Sequence, residues 1–252
     1  MLQPPAPASQ EQTAAARLSP LGQFTGSLGQ RVYQTLRHAI LSLAYRPGEI
    51  LRKPDICDAL GVSRSPVADA VARLQVEGLV DVIPQAGTFV ARFSMQEIRE
   101  GAFLREAIEV AAIERVATRI TDEQLQRLRR NLTVQTALVA DGDIPGFYAL
   151  DAEMHEMLLS FTGFAKLAQV SETAWLHVNR ARQLILPVPG RVQATLAEHA
   201  AILAALETRD PIAARDAIRS HLRQLITYLE PLERDRPDLF NPAAAPRPES
   251  PA

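Results

Sequence analysis

The amino-acid sequence predicts a mainly α-helical protein built in two structured parts. Hydrophobic residues make up 47% of the 252-residue chain and aromatic residues only 5%, and such a composition, rich in Ala, Leu and Val, is typical of packed helices. Residues 28–91 combine short helical patterns with two strand-like runs, whereas residues 94–231 show helical periodicity alone. The sequence therefore predicts a small mixed domain followed by an all-α antiparallel helical bundle.

The first part contains three predicted helices and a β-hairpin. An apolar stripe at helical spacing predicts a first helix that ends at Pro47-Gly48, and a short second helix follows Pro54, which suits a first helical turn. After Gly61, a third helix has an apolar face formed by Val67, Ala70, Val71 and Leu74. The strand-like runs LVDVI and TFVA flank a turn at residues 84–87. This order of elements is that of a winged helix-turn-helix.

Four segments follow from these patterns. Residues 1–25 and 233–252 are rich in Ala and Pro without helical periodicity, so we expect disordered tails. Between them we expect a winged helix-turn-helix at 26–92 and an all-helical domain at 94–232.

The composition also limits where the chain acts. Its longest purely apolar stretch is Ala200–Leu206, far short of the roughly 20 residues that cross a bilayer, and its start lacks the charged end and apolar run of a signal peptide. Cys57 is the single cysteine, which excludes an internal disulfide and is consistent with a reducing compartment. We therefore expect a cytoplasmic protein without a membrane segment. The net charge of −2 argues against indiscriminate coating of nucleic acid, so any DNA contact requires a local basic surface.

The first turn of the third helix has the residue types of a DNA-reading helix. Ser63, Arg64 and Ser65 follow the helix–helix corner at Gly61. An arginine there is able to bind a guanine through two hydrogen bonds, while hydroxyls and free helix-start amides hold phosphates. The tip of the hairpin, residues 85–88, would reach the adjacent backbone or minor groove. The alternative is that the serines only cap the helix and that Arg64 is solvated.

This part of the chain resembles the DNA-binding domain of the GntR family of transcription regulators. The resemblance rests on PGEIL, ALGVSRSPVADAVARLQVEGLV and GTFV, and it covers residues 30–91 almost continuously. It implies DNA contacts for Ser63, Arg64, Ser65 and the wing glycine Gly87, and it makes Arg37 a weaker candidate for a phosphate contact. The chain departs from the family pattern at Ala68-Asp69, where members often have Arg-Glu, so one expected basic contact is missing.

The second part carries a candidate metal-ligand set. Asp151 and His155 are four residues apart, so a helix places them on one face, and His199 and His221 lie on later helices. Three imidazoles and one carboxylate suit zinc, nickel, manganese or iron, with open positions for water or an anion. The alternatives are a surface hydrogen bond between Asp151 and His155 and ordinary buried histidines at the other two positions.

These residues also carry a second resemblance. Asp-x-x-x-His, Glu-His-x-x-Ile-Leu and Arg-x-His-Leu are similar to the FCD effector domain of the FadR-type branch of the GntR family. The resemblance implies a divalent metal held by Asp151, His155, His199 and His221. It also implies a small carboxylate effector near that metal, such as a sugar acid, a hydroxy acid, a citrate-like acid or a fatty acyl group.

Three residues are candidates for binding the effector. Arg105 and Arg182 lie on otherwise apolar helix rows, and a buried arginine requires a partner. Each is either in a structural ion pair, for which Glu109 and Glu153 are candidates, or facing the effector. Asn179 would add a hydrogen bond.

Together these features predict a non-enzymatic regulator, a repressor by analogy with the family. It would bind an inverted-repeat operator in double-stranded DNA as a homodimer and respond to a small organic acid. Two alternatives remain: a metal-responsive sensor, and a metal-dependent hydrolytic enzyme, for which the sequence offers no evident general base.

Overall fold

The computed structural model of the protein describes residues 13–241, apart from the side chains of residues 168, 169, 172 and 173. The chain divides into two compact units between Arg92 and Phe93. The predicted fold class is confirmed, with short helices and a hairpin in the first unit and helices in the second. Within the described residues, no helix is long and apolar enough to cross a membrane. The predicted disorder of residues 1–12 and 242–252 falls outside the described part of the chain.

Within its described residues, 13–92, the first unit contains three main helices and an antiparallel hairpin after a one-turn helix. Its elements are α1 (Ala14–Arg17), α2 (Leu28–Leu41), α3 (Lys53–Leu60), α4 (Arg64–Val76), β1 (Val80–Ile83) and β2 (Gly87–Val90). In the hairpin, Val80 pairs with Val90 and Ile83 with Gly87.

Local sequence signals explain where α2 and α3 begin and end. Ser27 and Gln30 form a reciprocal capping box at the start of α2, which satisfies backbone amides that have no partner within the helix. Gly61 ends α3 with φ of 63°, a left-handed conformation that costs glycine little. This turn separates α3 from α4 and leaves the start of α4 at the surface.

Parts of both predicted tails are packed in the structure. Residues 13–25 contain α1 and a single 3-10 turn, and Arg17 pairs with Glu49 and lies 5.3 Å from the ring centre of Tyr45. At the other end, the last helix continues to residue 235, and the ring of Phe240 packs 5.7 Å from that of Phe93. Composition predicted disorder because it gives no information on contacts between residues distant in sequence, such as those of Arg17 and Phe240.

The second unit is a bundle of seven helices within the described residues. They are α5 (Met95–Ala117), α6 (Asp122–Asp141), α7 (Ile144–Ser160), α8 (Lys166–Ala174), α9 (Leu176–Ile185), α10 (Arg191–Glu207) and α11 (Pro211–Asp235). Ser94, Thr121, Asp143 and Asp210 each cap the start of a helix by accepting a backbone N–H. Helix α5 packs against α7, α9, α10 and α11, so side chains from four helices meet along it.

Residues 164–186 lie within the segment of continuous helical periodicity, but the structure divides them between two helices. Helix α8 ends at Ala174 and α9 begins at Leu176, with Trp175 in a non-helical conformation between them. The break lies over Gly101 of α5, where an added Cβ would be 2.9 Å from Val178 Cγ2 and 3.1 Å from the carbonyl oxygen of Ala174. The close approach of backbone to backbone requires glycine at this position.

The variant Gly101→Ala tests this packing. We expect a free energy of unfolding lower by about 1–3 kcal/mol, because the new methyl group meets a backbone atom that cannot move cheaply. This loss outweighs the usual helix preference of Ala over Gly, about 0.5–1 kcal/mol. The control is Gly29→Ala in α2, where an added Cβ meets nothing within 4 Å. Denaturant unfolding measures both variants, and a Gly101→Ala protein as stable as the wild type would contradict this account.

Candidate metal centre and DNA-binding surface

The start of α4 presents the polar residues predicted for DNA. Ser63 is the N-cap residue, and its side chain makes no capping hydrogen bond. Ser63, Arg64 and Ser65 are all exposed, whereas Val67 and Ala70 behind them are buried. The hydroxyl of Ser63 therefore does not cap the helix. This differs from the alternative considered above, in which the serines serve only as caps.

Arg37 has a structural partner. Its Nε donates to Glu77 Oε2 at 3.3 Å, and the hydroxyl of Tyr33 donates to the other oxygen of the same carboxylate. Burial and this carboxylate raise the pKa of Tyr33 to about 12, so the phenol stays protonated as a donor. Arg37 thus ties α2 to the end of α4, and a phosphate contact would have to share its guanidinium with Glu77.

Gly87 sits at the base of the hairpin turn. The turn comprises residues 84–86, and Gly87 is the first residue of β2 with φ of 134°, in the region that favours glycine. An added Cβ would lie 3.4 Å from the side chain of Ile50. The glycine is therefore explained by the backbone geometry of the wing, and its backbone remains a candidate for contact with DNA.

In the second unit the four predicted metal ligands come together. Asp151 and His155 on α7, His199 on α10 and His221 on α11 are all buried, and one ligand atom from each lies within 4.8 Å of the others. That separation is close to the roughly 4 Å between opposite ligands that are each about 2.1 Å from one ion. We call these four residues the cage.

Each cage histidine is held by an oxygen acceptor on its outer nitrogen. The Nδ1 atoms of His155, His199 and His221 lie 2.6, 2.8 and 2.7 Å from oxygens of Glu109, Gln135 and Glu198, respectively. Carboxylates only accept, so the Nδ1 atoms of His155 and His221 must donate. The Nε2 atoms of these histidines therefore carry lone pairs and point inward.

Hydrogen bonds between two side-chain amides show that His199 also donates through Nδ1. Asn131 donates through Nδ2 to the carbonyl of Leu150, and its Oδ1 accepts from Gln135 Nε2 at 2.6 Å. The oxygen of Gln135 is then left to face His199, which must donate to it through Nδ1. This network fixes the tautomer of a histidine that is fully buried.

The interior of the cage is lined by lone pairs at close range. His155 Nε2 lies 3.1 Å from His221 Nε2, and His199 Nε2 lies 3.2 Å from Asp151 Oδ1. Neither His199 Nε2 nor Asp151 Oδ1 has a hydrogen-bond partner within the described residues. Acceptors that face one another in a buried site repel unless a cation lies between them. The residues present therefore fit a metal ion.

Burial keeps the histidines neutral. It lowers the pKa of His199 and of His221 well below the usual value, and neighbouring imidazoles and arginines reinforce the effect. Burial also lowers the pKa of His155, although Glu109 opposes the shift. For Glu109, burial alone would raise the pKa, but Arg105 and His155 outweigh it and hold the carboxyl ionised. Neutral imidazole is the form that binds metal.

Three buried arginines lie next to the cage, each with its own carboxylate. Arg105 pairs with Glu109 at 2.6 Å, Arg182 with Asp151, and Arg191 with Glu198 through two bonds of 2.6 and 2.8 Å. Burial, then Arg105, lowers the pKa of Arg182 to about 10, so it remains charged at neutral pH. The guanidinium groups are thus held in place by the residues that hold the cage.

A cavity of about 20 Å³, room for one or two waters, opens between these arginines. Arg105, Arg182, Arg191 and Thr195 line it together with His221 of the cage. Asn179 is not among its lining residues; the backbone carbonyl of Asn179 accepts a hydrogen bond from Tyr148. We call this space the arginine cavity.

A larger cavity of about 180 Å³ lies between the loops that precede α7 and α10. It is lined mainly by apolar side chains, including Leu138, Ile144 and Val192. Leu186 borders both cavities. The smaller cavity is the better candidate for an anion despite its size, because it has the arginines and a cage histidine in its wall.

Sequence reasoning missed several members of the site. It did not identify Gln135 or Arg191, and it treated Glu109 only as a partner for Arg105. The sequence spacing did indicate a contact for Glu109, because it lies one helical turn after Arg105. Glu198 is not free to act as a general base, because both its oxygens are occupied by Arg191 and His221. Glu153, the other acid considered as an arginine partner, is exposed.

Comparison with known proteins agrees with this two-unit organisation. Residues 28–90 match the bacterial regulatory proteins of the gntR family, and residues 100–224 match the FCD domain. An HTH-type transcriptional regulator in an unstable DNA locus of Streptomyces ambofaciens is 32% identical over 89% of this chain and 95% of its own length. The HTH-type transcriptional repressor RspR of Escherichia coli K12 is 29% identical over 91% of this chain and 99% of its own.

Solved structures share the fold. Escherichia coli McbR/YncC matches with a TM-score of 0.70 at 20% identity, covering 82% of this chain and 99% of its own. A GntR regulator from Rhodococcus sp. RHA1 matches with a TM-score of 0.69 at 25% identity, covering 81% and 99%. The chain has a winged helix-turn-helix with an exposed helix start in its first unit and an FCD bundle in its second, and it belongs to the GntR family of DNA-binding transcription regulators, in the branch that carries an FCD domain.

Proposed function

We propose that this regulator is a cytoplasmic repressor that binds an inverted-repeat operator as a homodimer. A divalent transition metal in the cage and a small organic acid in the arginine cavity control it. The observation that carries the proposal is the cage itself, in which three histidines and Asp151 turn lone pairs towards one point. The related Escherichia coli protein that is named a repressor supports the sign of regulation.

In the cage, Asp151, His155, His199 and His221 would hold zinc, nickel, manganese or iron. When bound, such an ion supplies a Lewis-acidic point that attracts an anionic group of the effector. The protein's own part is to orient the ligands through Glu109, Gln135 and Glu198. No reaction is required of this arrangement, and Glu198 is already engaged by Arg191, which disfavours the hydrolytic alternative.

The effector would lie between the cage and the arginines. Arg105 and Arg182 line the arginine cavity, and Arg191 joins them. Guanidinium groups bind carboxylates through paired hydrogen bonds, which gives both charge and orientation. Asn179 does not line this cavity, so it is the weakest of the three effector-binding residues expected from the sequence.

Control would operate by a shift between two arrangements of the dimer. Two winged domains must be held at the spacing of two half-sites, and the effector would favour a different spacing. The effector changes DNA affinity only by the difference between its affinities for the two arrangements. An apolar row on α5, in which Phe103, Ala107 and Ala111 recur every four residues and Phe103 is 74% exposed, supports a dimer formed by the second unit.

The DNA-binding surface is tested with genomic fragments selected by the purified protein. We expect a short inverted repeat whose half-sites are about one helical turn apart. Arg64→Ala should weaken operator binding by about 1–3 kcal/mol, with the loss concentrated at particular base pairs, because bidentate contacts discriminate bases by this amount. Arg130→Ala, which removes an exposed charge from the bundle, serves as the control. An Arg64→Ala protein with unchanged sequence preference would exclude a base-reading role.

The cage is tested by elemental analysis of purified variants. His155→Ala and His221→Ala should each lower metal content, because each removes one inward-facing lone pair. His177→Ala is the matched control: His177 lies in the same unit, its side chain is 24% exposed and it pairs with Glu97 at 3.8 Å. Full occupancy in both cage variants would refute the ligand set, and DNA release by metal alone would favour the sensor alternative.

A further inference from the structure

The buried charges around the arginine cavity cancel one another. The positive groups are Arg105, Arg182 and Arg191, and their partners are the carboxylates of Glu109, Asp151 and Glu198. Three guanidinium groups face three carboxylates, so the formal sum is zero. Arg180, also buried, lies over the ring of Phe93 and does not line this cavity.

The cage histidines add no charge to this sum. Each donates one proton outward through Nδ1 and presents a bare Nε2 inward, which is the neutral form of the ring. A divalent ion among them brings the buried site to a net charge of +2. A net charge in a largely buried site, where Glu198 alone of these six charged groups is partly exposed, is costly unless a counter-charge accompanies it.

The wall of the cavity offers donors for that counter-charge. Arg191 uses both terminal nitrogens for Glu198, and its Nε is buried without a hydrogen-bond partner among the described residues. Arg105 contacts Glu109 through Nε. Guanidinium groups from α5, α9 and α10 therefore converge on one space from three sides.

From this sum of charges we infer that the effector is a compact dianion. We expect the protein to bind it more tightly than a monoanion of the same shape. The inference rests on the proposed function, since the surplus of charge arises only with a divalent ion in the cage. A dicarboxylate and a phosphate monoester both meet the requirement. As it stands the arginine cavity holds one or two waters, so a dianion of this kind requires the side chains that line the cavity to move apart on binding.

Matched pairs of anions test the charge of the ligand. Calorimetric titration of the metal-loaded protein near neutral pH would compare succinate with its monoamide, and methyl phosphate with methyl sulfate. Within each pair the shape is nearly constant and one charge is lost. We expect the dianion to bind at least about tenfold more tightly in one pair, a difference of about 1.4 kcal/mol. The pair that shows this preference identifies the chemical class of the effector, a dicarboxylate or a phosphate monoester.

Two variants test whether the preference for a dianion arises from the balance of charged side chains around the arginine cavity. Arg191→Gln removes one positive charge, so it should reduce the ratio of monoanion to dianion dissociation constants severalfold. The double variant Arg191→Gln/Glu198→Gln removes one charge of each sign and retains an oxygen acceptor for His221 Nδ1, so it should restore the ratio. Metal content and circular dichroism of each variant establish that the cage and the fold are intact.

Equal binding of dianion and monoanion in both pairs would overturn the inference, as would a ratio that Arg191→Gln leaves unchanged. Failure of all four anions to bind would also overturn it. The proposed function is judged separately on the same preparations. Absence of bound metal or of operator binding counts against that function, whereas intact metal and operator binding with equal affinities counts only against the dianion.

Discussion

The direction of three hydrogen bonds governs the second unit of this protein. Because Glu109, Gln135 and Glu198 are acceptors, the histidines must donate outward and turn bare nitrogens towards Asp151. Four acceptors that face one another have no reason to be buried together unless a cation joins them. The outer partners thus decide the chemistry of the cage, and they also explain why the neighbouring helices carry so many buried polar side chains.

The same outer carboxylates connect the cage to the arginines. Glu109 contacts both His155 and Arg105, and Glu198 contacts both His221 and Arg191. On the third side, Asp151 itself contacts Arg182. A ligand that draws on any of these guanidinium groups therefore acts on a residue that orients the cage. This shared use of carboxylates gives a physical route by which an anion and a metal bound side by side would influence each other's affinity.

The sequence predicted what depends on local pattern, and it missed what depends on distant partners. The Asp151–His155 spacing and the polar start of α4 are signals within a few residues. Gln135 reaches His199 across 64 positions, and nothing local marks it as a histidine partner. The Arg37–Glu77 pair and the helix break over Gly101 likewise arise from packing between elements. Family resemblance supplied the ligand set, but only the fold reveals the acceptors that orient it.

X-ray absorption at the edge of the metal bound to the purified protein tests the cage most directly. The account predicts about three imidazole nitrogens at about 2.0–2.1 Å together with one or more oxygens, as expected for His155, His199, His221 and Asp151. A shell made only of oxygens, a sulfur ligand from Cys57, or protein without stoichiometric metal would contradict it.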